Sequence, residues 1–260
     1  MAEPEASTSN LSTKALVASK SATGVRQMFH DIAPHYDRLN RLLSLRTDCR
    51  WRKLVAKRVL RDTDKAVLDL CSGTGDLALA FAAQARRLGA SPLIVSADFT
   101  AAMTRLALLK FKRSPEFSKR PPLPLVADTL CVPFSDASFD VVSVAFGIRN
   151  VENLHQGLGE MFRVCRPGGR VAILEFSHPC QPILRRAYDW YFFRVLPKIG
   201  SLISGTTAYS YLPASVAKFP DTKEFATILE GYGVKVTTVR LSFGIATMYV
   251  AEKGPTRAHL

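Results

Sequence analysis

The stretch that most constrains this chain is Leu68 to Ala78, LDLCSGTGDLA, where a short apolar run stops at closely spaced glycines and passes directly into a helix-forming sequence. Ala66 to Leu70 is apolar apart from Asp69, as a strand buried on both faces requires, and the residues from Asp76 to about Leu88 follow helical spacing. Strand, turn and helix in that order begin a parallel βαβ unit. The alternation then repeats. Strands are predicted at Leu93 to Ala97, Leu123 to Ala127, Phe139 to Ala145 and Arg170 to Phe176, with helices at Ala101 to Lys110 and Leu154 to Val164 and a turn at Arg166-Pro167-Gly168-Gly169. Helix Asp221 to Gly231 and strands Val234 to Arg240 and Ile245 to Glu252 close the chain, and the short link at Gly244 makes the last two a hairpin. The expected fold is a doubly wound α/β sheet, mostly parallel with an antiparallel C-terminal edge, whose ligands gather at the carboxyl ends of the strands.

At 260 residues the chain suits one such domain rather than two. Residues 1–23, rich in Ser, Thr and Ala and without a signal-peptide pattern, read as an unstructured tail, and the chain is expected to be cytoplasmic. Val25, Phe29, Ile32, Leu39, Leu43, Trp51, Val55 and Val59 recur at helical spacing and predict an N-terminal helical extension. The expected division is a helical lid at 24–62, a ligand-binding domain at 63–254 with a substrate-cover insertion at 178–220, and a short tail at 255–260. The most apolar stretch, Pro182 to Ile203, is broken by arginines, Asp189 and prolines, which argues against a membrane span. Five cysteines without a CxxC or Cys/His spacing argue against structural zinc and a disulfide framework. The net charge of +13 favours anionic partners, either nucleic acid or an acidic lipid surface.

Gly73, Gly75 and Ala78 fit a loose GxGxxG/A pattern between strand and helix, where the backbone can approach a cofactor closely. Asp98 ends the next strand, where a carboxylate accepts hydrogen bonds from ribose hydroxyls. A tight turn and a helix cap would explain both features without any ligand, and NAD or flavin would satisfy them equally. Asp69 and Asp76 separate the cases: carboxylates crowd a pyrophosphate unfavourably but suit the ammonium and sulfonium of S-adenosylmethionine.

Four strings, LDLCSGTGD, DTLCVPFSDASFDVVSVAFGIRNV at 128–151, RVCRPGGRVAILEFS at 163–177 and MFHDIAPHYDRLNRLLS at 28–44, together with YSYLPASVAKFP at 209–220, resemble the ubiquinone/menaquinone biosynthesis C-methyltransferases. The likeness runs from about Val25 to Lys253. It implies a class I methyltransferase fold and methylation, without a metal, of a ring carbon of a polyprenylated quinol, demethylmenaquinol before a benzoquinol. Carried over by position, Thr74, Asp98, Asp128 and Thr129 would touch the donor, with Asp69, Gly73, Gly75 and Phe99 completing its site. Asn40, Phe146, Asn150 and Tyr209 would face the quinol, and Arg149, Tyr36 and Asp37 would serve the chemistry. The chain departs from many relatives at Ser44, Arg46, Asp48, Cys49 and Trp51, and has Ala145 where a Ser is common in the benzoquinol branch, which bears on the substrate subtype.

A ring carbon becomes nucleophilic once the adjacent hydroxyl loses its proton, so the site needs a group that stabilises a phenolate and one that removes the proton. Arg149 fits the first role and cannot serve as the base, for which His35, Tyr36, Asp37 and water are candidates. Plainer readings compete: Asp37 as a helix cap, Tyr36 as packing, Arg149 as an ion-pair partner of Glu152 or Glu175. Tyr188, Trp190, Tyr191, Phe192 and Phe193 lie among Arg185, Arg186, Arg194 and Lys198, which suits a cover over a greasy substrate or a transient contact with a membrane surface. A nucleic-acid methyltransferase would explain the charge, and Pro179-Cys180-Gln181 matches the PCQ string of cytosine C5 enzymes, but it follows the fifth strand rather than the fourth, so no nucleic-acid partner is expected. A binding module without turnover is a further alternative, and homodimerisation is left open.

Overall fold

A computed structural model describes residue 16 and residues 21–114, 120–198 and 208–254. From Ala22 onward the described residues form α1 (Ala22–Ile32), then a 3-10 turn over Ala33–His35, α2 (Tyr36–Leu43) and α3 (Thr47–Val59). The alternating part follows as β1 (Ala66–Leu70), α4 (Asp76–Arg87), β2 (Leu93–Asp98), α5 (Ala101–Lys112), β3 (Leu123–Val126), β4 (Phe139–Ala145), α6 (Leu154–Val164) and β5 (Cys165–Phe176). The chain ends with α7 (Pro182–Trp190), which runs on through a π turn over Tyr191–Val195, then α8 (Ala208–Lys218), α9 (Thr222–Glu230), β6 (Lys235–Leu241) and β7 (Ala246–Glu252).

The seven strands form one sheet in the order β3-β2-β1-β4-β5-β7-β6. β7 alone is antiparallel to its neighbours, wedged between β5 and β6. Side-chain chemistry sets that order. ATMYVAE is buried along nearly its whole length and needs cover on both sides, whereas KVTTVRL is mostly exposed and tolerates the edge. The expected turn at Arg166 to Gly169 is drawn into β5 instead: Gly168 takes φ +74 and donates to the Lys253 carbonyl at 2.8 Å, so the loop continues the pairing with a register shift near Phe139.

Helices cover both faces. Trp51, Val55, Ala56 and Val59 of α3 join Phe81 and Ala85 of α4 in the core on one face, so α3, placed by its spacing within the helical extension, packs as a layer of the sheet. Leu158 and Met161 of α6 and Phe225 and Leu229 of α9 fill the other. A third cluster, with Ile32, Leu39 and Leu43 against Tyr188, Phe192 and Leu196, lays α1, α2 and α7 over the carboxyl ends of the strands. Because the strand order reverses between β1 and β4, the crevice at their carboxyl ends is the open position for a ligand.

Candidate active site

The loop after β1 is shaped by backbone geometry that glycine supplies. Gly73 and Gly75 have φ +56 and +81, and a Cβ on Gly75 would lie 2.4 Å from Phe111 Cζ, so the α5 side chain fills the space that a methyl would need. Asp98, at the end of β2, knits the turn together. One carboxylate oxygen accepts the Gly73 N–H and the other the Thr100 N–H, both at 2.8 Å. Each oxygen keeps a lone pair, as acceptance from ribose hydroxyls requires. Burial pushes the Asp98 carboxyl up from its ordinary value, against the pull of those two N–H groups.

The residues of this crevice fit S-adenosylmethionine. Asp69 is 1% exposed; its Oδ1 accepts the Ser143 hydroxyl at 2.8 Å while its Oδ2 has no partner. A buried carboxylate oxygen without a partner, near the end of β1, suits a cationic group. Burial pushes its carboxyl up to about 7, with Ser143 and Arg52 pulling the other way. Beyond the loop the cleft is lined by Phe99, Asp128, Thr129, Phe146 and Asn150, and the Asn150 Oδ1 is a second buried acceptor without a partner. Asp98 and Gly73 thus share a wall with the residues expected beside an adenosyl group. Cys71 also lines this wall, but burial pushes its thiol up to about 12 and removes it as a nucleophile at neutral pH.

Asp76 lines a small recess together with Asp69, but it is already engaged in ion pairs within the protein. It pairs with Arg41 at 2.9 Å and with Lys110 at 2.9 Å. Burial opposes its charge, but Arg52, then Lys110 and Arg41, hold its carboxyl down to about 2. Asp37 is drawn into the same cluster: it accepts the Thr74 hydroxyl at 2.6 Å and pairs with Lys110 at 2.6 Å. Lys110 also donates to Thr74 Oγ1 at 2.8 Å. These contacts fasten the start of α2 onto the glycine loop. Lys110, Arg41 and Arg52 escaped the sequence reading, because a cation on an amphipathic helix looks the same whether it meets solvent or a distant carboxylate. Only the Asp48–Arg52 pair, four residues apart on α3, carried a local signal.

A second cavity of about 440 Å³ lies under α2 and α7, lined almost wholly by apolar side chains. Phe29, Tyr36 and Phe146 line both this cavity and the donor cleft. Tyr36 is half-buried, with Asn40 beside its hydroxyl, and burial pushes its phenol up despite Arg52 and Arg149 nearby. Phe146 packs at a tilt against Phe176 with centroids 4.5 Å apart and takes a left-handed φ of +60, which turns the chain out of β4. Arg149 pairs with Glu175 at 2.9 Å, so the ion-pair reading holds, and the residue is also among those lining the cavity. Burial pushes the Glu175 carboxyl up, though Arg149 opposes this. Glu175 was named in the sequence only as a partner, since nothing local marks it as buried. The side chain of Tyr209 lies outside the described residues. His35 is exposed and Cys180 lines neither cavity, which removes the support that the PCQ string gave to cytosine chemistry.

The sequence profile of the ubiE/COQ5 methyltransferase family matches residues 16–253. A ubiquinone/menaquinone biosynthesis C-methyltransferase UbiE from Geobacter sulfurreducens is 47% identical over 231 residues, covering 88% of each chain. A demethylmenaquinone methyltransferase from Thermus thermophilus is 42% identical over 227 residues, covering 87% of this chain and all of the relative. In structure, a SAM-dependent methyltransferase from Thermotoga maritima superposes with a TM-score of 0.58 over 88% of this chain and 99% of the other at 17% identity, a likeness of fold alone.

Proposed function

From the premise that this chain belongs to the ubiE/COQ5 methyltransferase family, we propose that its apolar cavity receives demethylmenaquinol and that Tyr36 and Arg149 act on the quinol ring. The chain is an S-adenosylmethionine-dependent C-methyltransferase of quinone biosynthesis. The observation that carries the finer reading is the junction of the two cavities at Tyr36 and Phe146: a cleft that sets Asp98, Asp128, Thr129 and Asn150 among apolar side chains, as a nucleoside requires, meets an almost wholly apolar space suited to a ring with a hydrocarbon tail.

Asp69 would hold the donor's ammonium, Asp98 its ribose, and Phe99, Asp128 and Thr129 would flank its adenine. The bound donor supplies a methyl on a positively charged sulfur, already activated for displacement. The protein's part is alignment, exclusion of water and control of charge on the acceptor. Phe146 and Tyr36 form the wall against which the ring lies, and Phe176 and Trp51 behind Phe146 keep that wall rigid. As the quinol hydroxyl gives up its proton, negative charge spreads over the ring oxygen and the neighbouring carbon. Arg149 offers a fixed positive charge there, oriented by Glu175. A phenol whose pKa is raised keeps its proton at neutral pH, so Tyr36 donates a hydrogen bond to the developing oxyanion rather than acting as base. Asp37, tied to Lys110 and Thr74, holds the glycine loop, and water is the remaining proton acceptor among the candidates. The ring carbon would gain the methyl as the carbon–sulfur bond breaks to leave a neutral thioether; the ring proton passes to solvent and the ring oxygen takes a proton back, so that one proton is released in all.

α7 supports a second element of the proposal, reversible contact with an anionic membrane. Ile183 is 86% and Trp190 65% exposed, and both sit among arginines on a protein of net charge +13. Among the described residues no helix is long and apolar enough to cross a membrane. The deciding experiment incubates the protein with labelled donor and, separately, reduced demethylmenaquinone, a demethylated benzoquinol, RNA and DNA. Transfer to demethylmenaquinol is expected. Transfer to the benzoquinol alone would overturn the substrate reading, and transfer to nucleic acid alone would overturn the cavity's role.

A further inference from the structure

The apolar cavity of about 440 Å³ opens to the surface, so a polyisoprenoid tail longer than the cavity continues outside it. Where it leaves is marked by Leu45. This residue lines the cavity and is nevertheless 82% exposed, which is consistent only with a place at its mouth. Ser242, which also lines the cavity and accepts a hydrogen bond from Trp51 Nε1 at 3.0 Å, is followed in sequence by Phe243, 79% exposed.

Both side chains stand on unusual backbone. Leu45 and Arg46 have φ of 50 and 61, and Ser242 and Phe243 have φ of 46 and 60. Large side chains avoid the left-handed region, where Gly or Asn sits more easily, and such residues persist when their side chains are needed where they point. Two separate turns, one before α3 and one between β6 and β7, each give one lining residue to the same cavity, Leu45 and Ser242, and each present a bulky apolar residue in this conformation, Leu45 and Phe243, to solvent. Folding alone gains nothing from exposing them.

We infer that Leu45 and Phe243 form the lip over which the isoprenoid tail leaves the cavity, and that they set the preference for long-tailed over short-tailed quinols. The inference rests on the quinol reading of the cavity and adds the path of the tail. The Leu45–Arg46 turn would hold one side of the tail and the Ser242–Phe243 turn the other, while the ring stays at Tyr36 and Phe146.

The test is the double variant Leu45→Asn, Phe243→Asn, because Asn accepts left-handed backbone and is polar. The melting temperature should hold or rise, which removes misfolding as an explanation. In detergent micelles, KM for a quinol with a long isoprenoid tail should rise about tenfold relative to KM for the same ring with a single isoprene unit. A ring-free polyisoprenyl alcohol, read by quenching of tryptophan fluorescence, should bind the variant more weakly by a similar factor. Equal KM changes for both substrates, or none for either, would overturn the inference while leaving the quinol reading intact. A length-dependent loss that appears only with phospholipid vesicles and not in micelles would assign the lip to membrane contact and overturn it too. Wild-type protein that methylates neither quinol would instead remove the reading on which the inference rests.

Discussion

Asp69 gives the sharpest prediction. Its carboxyl, pushed up to about 7, is largely neutral in the free protein at pH 6, and it must ionise to hold an ammonium group. At one unit below its pKa about one molecule in ten carries the charge, so donor affinity should fall about tenfold for each pH unit below 7, or about 1.4 kcal/mol. The donor's own amine titrates near about 8 and stays charged over this range, so it does not contribute. Calorimetric titration with S-adenosylmethionine from pH 5 to 6.5, in buffers of different ionisation enthalpy, should show a rising affinity and the release of about 0.9 proton per donor at pH 6. Asp69→Asn should bind weakly with a flat profile over the same range. The linkage has a stability counterpart of fixed sign. A raised carboxyl binds its proton more tightly folded than unfolded, so the free protein should lose stability as pH rises from about 4 through about 7. Wild type and Asp69→Asn with the same pH-independent affinity and no proton release would refute the assignment of Asp69 to the cation.

Asp76 titrates in the opposite sense: held at about 2, its ion pairs should contribute about 2 kcal/mol that is present above pH 4 and lost as pH falls towards 2, and Asp76→Asn should flatten that part of an acid-unfolding curve. Gly75→Ala combines φ +81 with a methyl 2.4 Å from Phe111, and should cost about 2–4 kcal/mol in urea denaturation. Glu175→Gln leaves the Arg149 charge buried without its counter-ion and should cost about 3–5 kcal/mol, while the double variant Arg149→Met, Glu175→Leu should recover much of that stability yet remain inactive. Tyr36→Phe should lower kcat about 10- to 100-fold with donor affinity unchanged; an equal loss in donor affinity would move Tyr36 out of the acceptor side.

The division between legible and illegible features follows the range of the interactions. Phe139–Ala145 and Leu154–Val164 emerge with the bounds read from the sequence, and the other strands and helices of the alternating part within a few residues, because apolar periodicity and glycine punctuation act over a few residues. The glycine loop and the positions of Asp69 within β1 and Asp98 at the end of β2 follow from the same short-range signals. The RPGG segment misled because two glycines and a proline suggest a turn, whereas the carbonyl of Lys253, far away in sequence, holds it in the sheet.

Sequence alone settled the alternating architecture, and with it the expectation of a ligand at the carboxyl ends of the strands; the strand order that opens the crevice between β1 and β4 came from the tertiary structure. Tertiary structure decided which acids remain free to meet a ligand. Asp69 and Asp76 are indistinguishable as letters flanking a loop, yet one is left with an orphan oxygen and the other is ringed by Arg41, Arg52 and Lys110. A carboxylate's pKa and availability depend on every charge and every burial within a few ångströms, and those neighbours come from α2, α3 and α5, helices that no local pattern brings together.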